Sequence, residues 1–155
     1  MNPYASTDPR LNAVRPVLEL LVTLRQLSTL APKLSLSAEQ LAVLQTRLAT
    51  VAGATSLSVQ GAEQLRGELL ASLSDTQQAL LTAERNAQTA RLRALLTRMR
   101  LAAIDGRSPV ARYAYSQWLG SATVEALLSG GDSVMTSRVQ VAALSTRQVL
   151  TRQYP

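Results

Sequence analysis

The side chains of this chain that could do chemistry are arginines and carboxylates, and little else. Its 155 residues include no histidine and no cysteine. That removes imidazole general-base catalysis, thiolate nucleophiles, disulfides and the usual zinc ligands together. Ten Asp and Glu are scattered along the sequence. The pairs Glu63 with Glu68 and Asp75 with Glu84 lack the three- or four-residue spacing that would bring two carboxyls onto one helix face. Gly130-Gly131-Asp132 follows no strand and has no Lys beside it, so it does not read as a phosphate-cradling loop. The inventory points away from an enzyme, and no metal or cofactor is expected.

What remains is cationic. The net charge of +6 comes from 15 Arg and a single Lys against ten acids, and it is unevenly placed. Arg85, Arg91, Arg93, Arg98, Arg100, Arg107 and Arg112 share their stretch with only Asp105, while the rest of the chain balances nine bases against nine acids. Several readings stand side by side. The guanidinium groups could be the solvated borders of a buried helix face. They could attract acidic or unfolded protein segments. They could also meet nucleic-acid phosphates, which a guanidinium matches bidentately, although no zinc finger, helix-turn-helix or stacking aromatics accompany them. An anionic membrane surface is a weaker fit, because the apolar stripe beside them has no Trp or Phe. Arg91, Arg93, Arg98, Arg100, Arg107 and Arg112 are the candidate partner-binding residues.

The element that must position them is the stretch from Ser74 to Ala103, thirty residues without Gly or Pro. As one helix it would span about 45 Å. Ser74 with Gln77 suits a capping box, and Asp75 suits the positive end of the helix dipole. At helical periodicity Leu81, Leu92, Leu95, Leu96 and Met99 share one sector, with Ala102 and Ala103 at its margins. Arg91 and Arg98 border that sector on one side, Arg93 and Arg100 on the other. The opposite side, mostly Ala, Thr and Leu101, is weakly polar, so this helix is expected at the centre of the fold or in a dimer interface.

The other segments read as shorter helices that cover it. The apolar fraction of 46% is almost all Leu, Ala and Val, with no Phe. That favours helix over sheet. Residues 1–10 hold two Pro and read as a flexible leader. Leu11 to about Leu30 is helical, broken by Ala31, Pro32 and Lys33. Ser37 and Gln40 form a second capping box with Leu36 as hydrophobic staple, opening a helix through Leu41, Leu44, Leu48 and Val51 to Gly53. A third helix starts near Ser58 to Gly61 and runs to Leu73. Asp105 to Pro109 ends the long helix, and Ser108 caps the next. That helix carries Tyr113, Tyr115 and Trp118, an aromatic group read as a core plug. Gly120 and Ser121 interrupt it, and Gly130 and Gly131 stop it. Residues 132–155 are expected as a helix from about Val134 to Leu150 or a partly disordered tail. The organisation is thus an all-α bundle of five or six helices over 11–131.

The two helix starts repeat one another. Leu36-Ser37-Ala38-Glu39-Gln40 returns 37 residues later as Leu73-Ser74-Asp75-Thr76-Gln77. The pattern resembles the Leu-Thr-x-x-Gln motif of the Spy and CpxP family of bacterial periplasmic proteins and of smaller two-motif envelope proteins. Ser replaces Thr in both copies, the spacing is shorter, and the likeness covers roughly residues 34–103. The resemblance implies an all-helical, often dimeric, ATP-independent chaperone or envelope-stress regulator, with Leu36, Ser37, Gln40, Leu73, Ser74 and Gln77 as motif residues. It implies protein partners, including unfolded polypeptide. A nucleic-acid-binding or nucleoid-associated protein is the alternative, and an accessory subunit of a larger bundle a further one. No membrane span is expected. The opening MNPYASTDPR lacks the basic start and apolar core of a signal peptide. Periplasm or envelope is expected if a leader has been removed, and cytoplasm otherwise.

Overall fold

Chains whose apolar residues are Leu, Ala and Val pack as helices, and the computed structural model follows that rule over the residues it describes, 2–99 and 110–155. Seven helices and no strand occur among them: α1 (Pro9–Leu34), α2 (Ala38–Ala52), α3 (Val59–Ala71), α4 (Asp75–Met99), α5 (Val110–Leu119), α6 (Ser121–Ser129) and α7 (Asp132–Gln153). The five or six expected become seven because Gly120 separates α5 from α6. It adopts φ +86°, open to glycine and strained for other residues. None of these helices is long and apolar enough to cross a membrane. Residues 100–103 of the expected long helix, and the break from Asp105 to Pro109 with its Ser108 cap, lie outside the described residues.

The centre of the fold is α1, not the helix that begins at Ser74. It packs against α3, α4, α5, α6 and α7, whereas α4 has α1 as its chief neighbour. The cause is visible residue by residue. Val17, Leu18, Leu20, Leu21, Val22 and Leu24 are all buried, so the middle of α1 is apolar on nearly every side and needs partners around it. Pro16 and Pro32 both lie inside α1. A proline in a helix interior forfeits a backbone hydrogen bond at a cost of about 3 kcal/mol. Fully burying a single Leu contributes roughly 2–3 kcal/mol, and α1 buries eight of them. Packing therefore carries the helix past both prolines to Leu34.

Residues 132–155, expected as a helix or a partly disordered tail, supply a main wall of the core. Met135, Val139, Ala143, Thr146 and Leu150 fall on one face of α7 and are buried against α1 and α2. Threonine suits an extended tail as well as a helix, but the Thr146 hydroxyl donates to Ala142 O at 2.9 Å, within its own helix. The Tyr154 hydroxyl donates to Ala31 O at 2.5 Å and accepts from Leu36 N at 3.3 Å, tying the end of α7 to the α1–α2 turn. Gly130 permits the approach of α6 to α7, because a Cβ there would lie 2.6 Å from Ala126 O and 2.7 Å from Val134.

The expected flexible leader is also tied down. Tyr4 is buried, its carbonyl accepts from Arg15 Nη1 at 2.6 Å, and its hydroxyl accepts from Trp118 Nε1 at 2.8 Å. Asp8 caps α1 by accepting from Arg10 N. Neither residue 10 nor residue 131 is therefore a boundary in the packing.

Candidate functional site

Both expected capping boxes form. Ser37 Oγ accepts from Gln40 N at 3.1 Å while Gln40 Oε1 accepts from Ser37 N at 3.0 Å. Ser74 Oγ accepts from Gln77 N at 3.2 Å while Gln77 Oε1 accepts from Ser74 N at 2.8 Å. Leu36 and Leu73 are buried beside their caps. The two boxes are also joined to each other. Gln40 Nε2 donates to Gln77 Oε1 at 2.7 Å, and Gln77 Nε2 donates to Gln40 Oε1 at 3.1 Å. Each amide spends its other proton on a chain end near its partner: Gln40 on Ser72 O at 3.2 Å, Gln77 on Leu34 O at 2.9 Å. Every polar atom of the buried Gln77 amide is thereby satisfied, the condition under which a buried amide stabilises rather than costs. The ends of α1 and α3 and the starts of α2 and α4 meet at this knot.

The arginines separate into distinct environments. Arg91, Arg93 and Arg98 project from α4 as exposed side chains. Arg91 is held by Gln88 Oε1 at 2.7 Å. Leu81, Leu92 and Leu96 are buried and Leu95 half-buried. The described part of the expected sector therefore faces inward, and among the described residues no open apolar strip lies between the Arg rows. Arg112 is engaged by Asp8 at 3.6 Å and Glu125 at 3.4 Å. Arg100 and Arg107, like the side chain of Met99, lie outside the described residues. The six candidate arginines thus do not converge on one described site.

Arg85 belongs elsewhere. Its two terminal nitrogens donate to the two oxygens of Glu19, each at 2.8 Å. The Tyr115 hydroxyl donates to Glu19 Oε2 at 2.6 Å, and Arg66 stands 3.8 Å from Oε1. Arg85 also lies 4.3 Å over the ring of Tyr4, which meets Tyr115 edge-on at 5.2 Å. Glu19 thus links α1 to α3, α4 and α5, with Tyr4 stacked on its main partner.

Burial alone would raise the Glu19 carboxyl. The Arg85 bonds and charge, the Tyr115 hydroxyl and the Arg66 charge more than reverse this, so its pKa lies below the ordinary value. Burial, then the charge and hydrogen bond of Glu19, push the Tyr115 phenol well above its ordinary value. Glu19 is a fixed anion and Tyr115 a fixed donor, so neither is poised for proton transfer near neutral pH. This cluster reads as a lock between helices.

Sequence reasoning missed Glu19, Arg66 and Tyr4. One signal was present: Glu19 is the only acid between Asp8 and Glu39, alone in a Leu-rich run. An acid in such a run must find a cation once the helix is buried.

Compared with family models, with curated proteins and with solved structures, the chain matches none.

Proposed function

We propose that this is a non-catalytic helical protein that holds protein partners reversibly, chaperone-like or regulatory, in the manner of the Leu-Thr-x-x-Gln envelope proteins it resembles. The supporting observation is the reciprocal amide pair between Gln40 and Gln77. It makes the two Leu-Ser-x-x-Gln copies one paired unit, where two unrelated helix starts would have no reason to meet. Because Leu92 and Leu96 are turned inward, α4 offers charge to a partner, and acidic segments of unfolded polypeptide are the chemistry that fits. A periplasmic or envelope setting and self-association follow from the resemblance.

A second reading, nucleic-acid binding, draws on the same outward arginines. One pair of measurements distinguishes the two. In the first, suppression of aggregation of an acidic unfolded protein is followed by light scattering. The wild-type chain is compared with a variant carrying Arg91→Ala, Arg93→Ala, Arg98→Ala and Arg100→Ala. The protein-binding reading expects suppression that weakens in the variant and with salt. In the second, fluorescence anisotropy of duplex DNA is followed across a salt series. Tight binding that falls steeply with salt and vanishes in the variant, with no effect on aggregation, would move the protein to the nucleic-acid class.

A further inference from the structure

A groove of about 350 Å³ runs between α1 and α7 where α5 gives way to α6. Its walls are mainly apolar, with Leu21 and Leu24 from α1, Trp118 from α5, and Val141 and Val149 from α7. Val141 is 65% exposed, more than any other large hydrophobic residue described. Ser28, Thr146 and Trp118 among the polar groups facing this space are engaged within the fold. Ser28 Oγ donates to Thr146 Oγ1 at 3.1 Å. The Trp118 indole N–H is given to the Tyr4 hydroxyl, so the ring offers apolar surface only.

Two cations interrupt this apolar lining, Arg25 from α1 and Arg138 from α7. Both are exposed, and none of the described residues that line the groove is acidic. Neither has an ion-pair partner among the described residues, in contrast to Arg47, Arg66, Arg85 and Arg112. Apolar walls with unpaired guanidinium groups from two helices are complementary to a ligand with an apolar body and an anionic end. The size suits a small molecule, since such sites span roughly 300–1,000 Å³.

We infer that this groove binds a free medium-chain carboxylate of the fatty-acid type. Its chain lies along Leu21, Leu24, Trp118 and Val141, and its carboxylate meets Arg25 and Arg138. The inference is independent of the function proposed above, for it uses neither the α4 arginines nor the capping boxes.

Trp118 is the only tryptophan in the chain, so its fluorescence reports the groove directly. The full chain is titrated with decanoate below its micelle concentration, and in parallel with decanol and decyltrimethylammonium. A saturable Trp118 response to decanoate, with decanol and the cation at least about tenfold weaker, is the expected result, since a charge-assisted hydrogen bond is worth a tenfold change or more. The Arg25→Ala, Arg138→Ala double variant should weaken decanoate by about tenfold or more with an unchanged thermal melt. Val141→Glu, which places a like charge at an exposed position, should abolish the response. Equal responses to all three amphiphiles, no saturable response to decanoate, or an unaltered affinity in the double variant would each overturn the inference. So would a response confined to anionic phosphatidylglycerol vesicles, which would make the ligand a membrane surface.

Discussion

The described part of α4, 25 residues, nearly matches the 26 of α1, yet the two occupy opposite positions in the fold. α1 is crossed by two prolines and, from Val17 to Leu24, buried on nearly every side. α4 has neither Pro nor Gly, begins with a complete capping box, and leaves Arg91, Arg93 and Arg98 in solvent. Local helix quality and centrality are therefore separate properties. A helix that forms well by itself can sit at the edge, while a poor one is held at the centre by what surrounds it.

The largest expected difference is in packing. Leu24→Ala on α1 should lower stability by about 3 kcal/mol, and Leu95→Ala on half-buried α4 positions by about 1 kcal/mol, read from urea midpoints. Equal losses would erase the distinction between the two helices. Next comes the ion pair. Arg85→Ala leaves Glu19 facing only Arg66 and Tyr115, and should cost about 3 kcal/mol. Arg98→Ala should stay within about 0.5 kcal/mol.

Each helix also carries one perturbed glutamate, and the two should respond to pH with opposite sign. The Glu19 pKa is depressed in the folded state. Its contribution is complete above the ordinary carboxyl pKa and is lost as pH falls through the lower folded value. The Glu84 carboxyl is raised, chiefly by burial, against the opposing influence of Gln26, Arg91 and Lys33, and its Oε1 is buried without a hydrogen-bond partner. Its contribution is greatest below the ordinary value and declines as pH rises through the folded one. At pH 7, Glu19→Gln should therefore destabilise and Glu84→Gln should stabilise. Denaturation at pH 7 and pH 4 reads both, and a shared sign would refute the assignment.

Smaller effects sharpen the comparison where the helices meet. Gln77→Ala should cost about 1–2 kcal/mol, as a buried amide network loses a member. Adding Gln40→Ala should cost less than the sum of the two single changes, and a double-mutant cycle measures that coupling. Ser35, at φ +51° between α1 and α2, is the one non-glycine described with positive φ. Ser35→Gly should raise stability slightly, by a few tenths of a kcal/mol, read as a small rise in melting temperature.

How much of this was legible depended on the range of the interaction. The capping boxes could be read because Ser37 and Gln40, or Ser74 and Gln77, are neighbours on one turn. Their mutual contact could not, since nothing in the spacing of two such boxes requires their glutamines to face each other. Arg85 read as the first of an arginine row because Glu19, its partner, is 66 positions away. Tyr4 was hidden by the prolines and turn formers around it. The centrality of α1 was obscured by Pro16 and Pro32, whose local cost is plain in sequence while the burial that offsets it is not. The tail was undervalued because Val139, Val141 and Thr146 suit an extended chain as well as a helix. Only packing on α1 and α2 decides between them.

The central place of α1 also has a kinetic side. Its partners are drawn from α3 through α7, so they join it across long stretches of intervening chain. Contacts of that separation form late, after the entropy of closing large loops has been met. Until α7 docks, one apolar flank of α1 stays open to solvent. Intermediates lacking α7 should therefore be the species that aggregate, and dilution during refolding should recover more native protein than any change that strengthens α4 alone.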